Sequence, residues 1–219
     1  MALTNADVFM WDTLAKLKVI PPSPLIIELG EANWFGDCAP PPGCADADPF
    51  AVAKKFYKRY TNYSEIISID LQGTPQAVRL DLNTAQARVM ERAHIVINSG
   101  TAEHVFNQFN FFRYAHDCCR PGGLMIHALP VLNWPNHGFY TYSPCMIDDL
   151  RDANGYSEIV RFNATFVQLG TAAITVEVGR AGNGFPMMTY VVFRKTLDLD
   201  FRSPMQRSLG LENPGLSLT

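Results

Sequence analysis

The chain has 219 residues, 47% of them apolar and 18% charged, with a formal net charge of −3. That is enough apolar material for one α/β domain and too much for a disordered chain. The weak negative balance argues against a nucleic-acid or anionic-membrane surface, and no apolar run approaches the roughly 20 residues of a membrane-spanning helix.

Five cysteines are present, Cys38, Cys44, Cys118, Cys119 and Cys145, an odd number with no C-x-x-C spacing. A disulfide framework is not expected, and a reducing cytoplasm is the default location. No metal site is indicated, because no Cys/His pair stands at zinc-ligand spacing. The first residues lack the basic and apolar regions of a signal peptide. There is no internal repeat and no linker, so residues 1–219 read as one domain.

Thr4-Asn5-Ala6-Asp7 is a capping-box-like helix start, with Asp in place of the usual Glu. Val8, Trp11, Leu14, Ala15 and Lys18 then share one helical face. This helix either packs on the edge of the sheet or serves as a lid over a ligand site. The run Leu25-Ile26-Ile27-Glu28-Leu29-Gly30, entered through Pro21, Pro22 and Pro24, predicts a short buried strand ending in a turn. A long loop over 31–47 follows, and loops of that length are often functional. Asp48-Pro49 predicts a helix start, with the stripe Phe50, Ala53, Phe56, Tyr57 and Tyr60 facing the core.

Strands are predicted at 65–70 and 76–81. The short Gln72-Gly73-Thr74-Pro75 connection makes them either an antiparallel pair or a strand with a short edge strand beside it. Residues 84–92 read as a short helix and 93–98 as a buried strand. Residues 102–119 read as a helix with Val105, Phe106, Phe109, Phe112 and His116 on one face. Arg120-Pro121-Gly122-Gly123 stops it before a strand at 124–129. An aromatic loop over 130–143 leads to a helix capped by Ser143-Pro144 and closed at Asn154-Gly155. Three strands follow, at 159–167, 172–178 and 187–193, with Gly179 to Gly184 as a hairpin loop between the last two.

Alternating strands and helices with a terminal β region predict a doubly wound α/β sheet. The apolar runs ending at Glu28, Asp70 and Asp81 each deliver a carboxylate to one rim. In open α/β sheets the ligand lies outside the carboxyl ends of the strands. An acid after the second strand can hold both hydroxyls of a ribose, since a carboxylate offers two acceptors. The first turn, Gly30-Glu31-Ala32-Asn33, is too poor in glycine for the backbone to cradle a pyrophosphate, which argues against a dinucleotide site.

Glu28-Leu29-Gly30, Ile69-Asp70, Leu80-Asp81-Leu82-Asn83, the strand ending at Asn98, and Arg120-Pro121-Gly122-Gly123-Leu124-Met125-Ile126 stand in the order of the motifs of class I S-adenosylmethionine-dependent methyltransferases, which the chain resembles over about residues 24–130. Asn98-Ser99-Gly100-Thr101-Ala102-Glu103-His104-Val105-Phe106-Asn107-Gln108 and Asn136-His137-Gly138-Phe139-Tyr140 are similar to a bacterial methyltransferase-like group of mostly unassigned substrate. The resemblance implies a Rossmann-like methyltransferase fold, a mostly parallel seven-stranded sheet with an antiparallel C-terminal strand. It also implies S-adenosyl-L-methionine as cofactor. Glu28, Gly30 and Glu31 would then meet its methionine part, and Asp70 and Leu71 its ribose. Asp81 and Leu82 would flank the adenine, and Asn98, Ser99 and Gly100 would lie beside the sulfonium.

Methyl transfer needs alignment, plus a base where the acceptor carries a proton. His104, beside the rim with Glu103 adjacent, and His137, in the aromatic loop, are the candidate bases. His127 reads as a core residue; His94 and His116 read as structural or surface. Trp134, Phe139, Tyr140 and Tyr142 are candidates for an aromatic wall around the substrate or a cation, or equally for packing within the loop. The expected activity is methyl transfer to O or N of a small molecule. Self-reaction of the cofactor and a non-catalytic binding role are the alternatives.

Overall fold

The computed structural model describes residues 1–35, 38–84, 92–168, 174–178 and 184–206. The expected helix at 84–92 and the glycine loop at 179–184 lie mostly outside them.

Seven strands form the main sheet, in the order β4-β2-β5-β6-β9-β7-β8. They are β2 (Leu25–Leu29), β4 (Glu65–Ile69), β5 (Ala93–Ser99), β6 (Cys119–Leu132), β7 (Ser157–Gln168), β8 (Ile174–Val178) and β9 (Met187–Arg194). The four strands from β4 to β6 run parallel. β9 is antiparallel to both β6 and β7, and β8 is antiparallel to β7. A second, two-stranded sheet pairs β1 (Ala2–Leu3) with β3 (Asn33–Trp34).

Alternation along the strands builds a core on each face. Ile26, Ile95, Ile97, Leu124, Ile126 and Val192 point to one side, where they join α1 (Asn5–Lys16) and α2 (Pro49–Lys58). Leu25, Ile27, Leu29, Val96, Met125 and Val191 point to the other, against α3 (Gln108–Cys118) and α4 (Pro144–Ala153). Each such side chain contributes about 1.5–3 kcal/mol on full burial.

The capping box of α1 is present. Ala6 N donates to Thr4 Oγ1 at 3.2 Å, and Thr4 N donates to Asp7 Oδ2 at 2.7 Å. Trp11 and Leu14 are buried as the pattern predicts, and Trp11 packs against Phe56, Tyr57 and Tyr60 of the α2 region. Asp48 caps α2 and Ser143 caps α4, each with Pro at the first turn.

Three expectations are corrected. The strand at 76–81 is reduced to a single parallel bridge, Ile69↔Val78, because the connection leaves room for only one rung at the sheet edge. The helix over 102–119 is a 3-10 turn at Ala102–His104 followed by α3, which Asn107 caps by accepting from Asn110 N. The restart at 108 turns the helix. Phe111, Ala115 and Cys118 are buried, while Phe106 and Phe109 are 70% and 52% exposed. The last strands do not form a hairpin with each other. β9 enters between β6 and β7, where its run Met188–Phe193 is buried on both faces, as an almost wholly apolar strand requires.

Asp7 and His127 are ionisable groups buried away from the rim of the parallel strands. Asp7, which also accepts from Tyr190 Oη, has its carboxyl pushed up to about 7 by burial. His127 in β6 has its imidazole pushed down to about 4 by burial. Both favour the neutral form in the folded chain. For His127, from its ordinary 6.5 down to about 4, the unfolded chain binds more protons, so its contribution is lost as pH falls. For Asp7, from its ordinary 3.8 up to about 7, the folded chain binds more protons, so its contribution is lost as pH rises. The two slopes oppose each other where the windows overlap. In urea titrations, Asp7→Asn should therefore make stability rise more steeply with pH from about 4 to 6.5 than it does in the parent chain. Equal slopes in the two proteins would remove Asp7 from the balance.

Candidate functional site

The carboxyl ends of β2, β4 and β5 stand side by side, and each strand exits through a polar turn. Gly30 follows β2, Asp70 follows β4 and Gly100 follows β5. Between these turns lies a cavity of about 460 Å³. It is lined by Gly30, Asp70 and Gly100, by Leu71, Leu80, Asp81, Leu82 and Asn83, by Thr101, His104 and Val105, and by Met1.

The acids of this rim build the first turn. Asp70 Oδ2 accepts from Glu31 N at 2.9 Å, and Asp70 Oδ1 accepts from Gln72 N at 2.8 Å. Glu28 Oε2 accepts from Ser68 Oγ at 2.6 Å and from Ala32 N at 3.3 Å. Burial raises the Glu28 carboxyl above the ordinary carboxylate range. The Glu31 carboxylate accepts from Thr74 N at 2.7 Å and Thr74 Oγ1 at 2.9 Å. Carboxylates thus satisfy the N–H groups of residues 31 and 32, which explains how the turn closes with a single glycine. That glycine is required: Gly30 has φ +94°, and a Cβ there would collide with Thr101 Oγ1.

Of the expected cofactor residues, Gly30, Asp70, Leu71, Asp81, Leu82 and Gly100 line this cavity. Glu28 and Glu31 are buried behind it, with their carboxylates turned to Ser68, Ala32 and Thr74. Asn98 is also buried. Its Oδ1 accepts from Thr101 N at 3.2 Å and Ala102 N at 3.0 Å, which shapes the turn after β5. With Oδ1 so occupied, Nδ2 is the donor to His127 Nδ1 at 3.3 Å. Ser99 faces a second cavity, while its N–H donates to Met1 Sδ at 3.0 Å.

The second cavity, about 650 Å³, meets the first at Gly100. Its walls are mainly apolar and aromatic: Phe35, Trp134, Phe166, Phe185, Met188 and Tyr190. Glu103 and His137 are its carboxylate and its imidazole, and Ala2, Thr4 and Ser99 also line it. Both volumes fall in the range of small-molecule sites. The segment before α1, rather than the body of that helix, reaches the rim.

His137 Nε2 stands 3.5 Å from Glu103 Oε1, with His137 43% exposed and Glu103 fully buried. The Glu103 carboxylate holds the His137 imidazole above its ordinary value. The loop carrying His137 is fastened to Glu103, because Phe139 N donates to Glu103 O at 2.6 Å. A Cβ on Gly138, φ +73°, would stand 2.8 Å from that same oxygen. The His104 ring lies 5.0 Å from the His137 ring, and Trp134 lies 4.8 Å from it on another side. The structure therefore gathers His104, His137 and Trp134 at the junction. It does not bring Tyr140 or Tyr142 there: Tyr140 Oη donates to Phe106 O and Tyr142 Oη to Gln108 Oε1. Both tyrosines pack the loop onto the start of α3.

Sequence reasoning did not find Met1, Thr101, Phe35, Phe166, Phe185, Met188 or Tyr190. The last four come from β7, β9 and the segment leading into β9, which reach the site only because β9 lies beside β6. No local pattern marks them.

No protein-family model matches the sequence, and no curated protein matches it in sequence. Solved structures are similar. The 1,6-didemethyltoxoflavin-N1-methyltransferase of Burkholderia thailandensis, with 1,6-didemethyltoxoflavin and S-adenosylhomocysteine bound, is 12% identical over 84% of this chain and 75% of that one, with a TM-score of 0.51. The N-methyltransferase NodS of Bradyrhizobium japonicum, in complex with S-adenosylhomocysteine, is 11% identical over 87% and 86%, with a TM-score of 0.52. TehB of Haemophilus influenzae is 11% identical over 84% and 61%, with a TM-score of 0.53. At these identities the likeness is one of architecture, and the architecture of this chain is the Rossmann-like methyltransferase fold.

Proposed function

We propose that the chain is an S-adenosyl-L-methionine-dependent methyltransferase acting on O or N of a small, largely apolar or aromatic molecule. The observation that carries this reading is the pair of cavities meeting at Gly100, one lined by acidic strand ends and the other by aromatic side chains. Two of the similar structures hold S-adenosylhomocysteine, which supports the choice of cofactor.

In this reading the cofactor lies in the first cavity, with its ribose on Asp70. Each oxygen of Asp70 accepts one backbone N–H and keeps a second lone pair for a ribose hydroxyl. Leu80, Asp81 and Leu82 flank the adenine, and Gly30 lies beside the methionine part. The sulfonium methyl points past Gly100 into the second cavity, where Trp134 and its aromatic neighbours hold the acceptor. His104 and His137, with Glu103, form the polar corner that handles the acceptor's proton. The protein supplies alignment and exclusion of water, worth several kcal/mol of the barrier.

Calorimetry with S-adenosylhomocysteine tests the reading. Binding should be saturable, and Asp70→Ala should weaken it by roughly 1.5–3 kcal/mol, about 10- to 150-fold, the scale of hydrogen bonds to a charged group. Unchanged affinity in Asp70→Ala would take the ribose off Asp70, and no binding by the parent chain would end the proposal. Methylthioadenosine released from the cofactor alone would replace methyl transfer by self-reaction.

A further inference from the structure

We propose that Glu103, His104 and His137 form a binding site for one divalent transition-metal ion at the junction of the two cavities. One ligand atom of each residue, a carboxylate oxygen and two imidazole nitrogens, lies within 4.8 Å of the others. The separation of His137 Nε2 and Glu103 Oε1, 3.5 Å, is longer than a regular hydrogen bond. It is close to the edge of a coordination tetrahedron, where bonds of about 2.0–2.2 Å place neighbouring donors roughly 3.3–3.6 Å apart.

A second observation is independent of that spacing. Glu103 is 0% exposed, and neither of its carboxylate oxygens has a hydrogen-bond partner. The other acids buried beside the rim, Glu28 and Glu31, have their oxygens engaged by Ser68, Ala32 and Thr74. A buried carboxylate without such partners costs several kcal/mol unless a cation meets it; the His137 imidazole at 3.5 Å is the cation at hand when protonated, and a bound metal ion would replace its proton. The surrounding backbone holds it in place nonetheless, through the bond from Phe139 N to Glu103 O and the close packing of Gly138 on the Glu103 side chain.

Two imidazoles and one carboxylate are the donor set of open zinc and iron(II) sites, which keep a position for substrate. Magnesium and calcium prefer an all-oxygen shell and fit this set poorly. The role of the ion rests on the methyltransfer reading; the binding itself does not. Glu103 and His137 line the acceptor cavity and His104 the other, so an acceptor oxygen on the open position would lie near Gly100. With both imidazoles on the ion neither serves as the base itself, and a hydroxyl bound at the open position would release its proton to solvent. Its oxygen would then form the new O–C bond as the methyl C–S bond breaks, with the electron pair left on sulfur. That narrows the acceptor class to a molecule with a hydroxyl next to an apolar or aromatic body.

The test uses the full chain treated with a chelator, then titrated with Co²⁺ alone and Zn²⁺ alone, followed by calorimetry and, for Co²⁺, by its visible absorption. One equivalent should bind, and His104→Ala and His137→Ala should each weaken binding by at least about tenfold. Glu103→Gln should do the same. Because Glu103 is buried and its variant could misfold, the exposed His104 supplies the variant that keeps the fold, checked by circular dichroism. Absence of one-equivalent binding, or binding unchanged in both histidine variants, would overturn the site. S-adenosylhomocysteine affinity, measured separately, distinguishes the two failures. Intact cofactor binding without metal binding removes the ion and leaves methyl transfer standing; the reverse result removes methyl transfer and leaves the ion.

Discussion

Gly30→Ala should destabilise the folded chain by roughly 2–6 kcal/mol and remove measurable binding of S-adenosylhomocysteine. Two costs add. At φ +94° an alanine is strained by about 1–3 kcal/mol. Its Cβ would also collide with Thr101 Oγ1 and stand 3.1 Å from Met1 Cβ and 3.3 Å from Thr101 Cβ. Thr101 follows Gly100 at the end of β5, so relieving the collision moves the turn that joins the two cavities. Overpacking of this kind costs a further 1–3 kcal/mol. Thr101→Ala in the same chain removes the Oγ1 collision and leaves the φ strain, so the double variant should recover part of the stability and less of the affinity. Urea denaturation and calorimetry read both quantities. A Gly30→Ala chain with parent stability and affinity would show that β2 and β5 do not approach closely at this turn.

His137→Ala should lower turnover about 100-fold or more, whether the imidazole handles the acceptor's proton itself or helps hold the ion that does, while S-adenosylhomocysteine binds as before. The split follows from placement. His137 lines the second cavity and stands 3.5 Å from Glu103, whereas the first cavity is lined by other residues. The ring is 43% exposed, so its removal leaves no buried void and the fold should stay intact. A merely structural role would lower stability and cofactor affinity together and spare turnover per bound cofactor. Single-turnover kinetics at saturating cofactor separates the two. Gly138→Ala offers a related check, since its Cβ would press on Glu103 O and shift the His137 loop without removing the imidazole.

The rim was legible in the sequence because parallel strands buried on both faces read as unbroken apolar runs, and their carboxyl ends must carry whatever meets the ligand. Leu25–Leu29 and Glu65–Ile69 appear as strands, and Gly30, Asp70, Asp81 and Leu82 line the cavity between them. The capping box of α1 and the Pro-started helices α2 and α4 were equally legible, since a cap is a contact between residues two or three apart. Glu28 and Glu31 show the limit of the method. An acid at a strand end can face a ligand or close a turn, and only the position of Ser68 and Thr74 opposite them decides between the two.

The sequence by itself determined the α/β class, the parallel strands and the acids that delimit the first cavity, because those features depend on local periodicity and on residues close in the chain. Only the tertiary structure decided the rest. It placed β9 between β6 and β7, which brings Phe166, Met188 and Tyr190 to the rim and makes a second cavity. It set Glu103 against His104 and His137, thirty-four residues apart along the chain from Glu103 to His137, and left the buried carboxylate without a hydrogen-bond partner. It turned Tyr140 and Tyr142 away to hold the loop. These outcomes follow from which strand pairs with which and from how a loop docks. Such long-range burial energies are summed over the whole core, and no window of the sequence contains them.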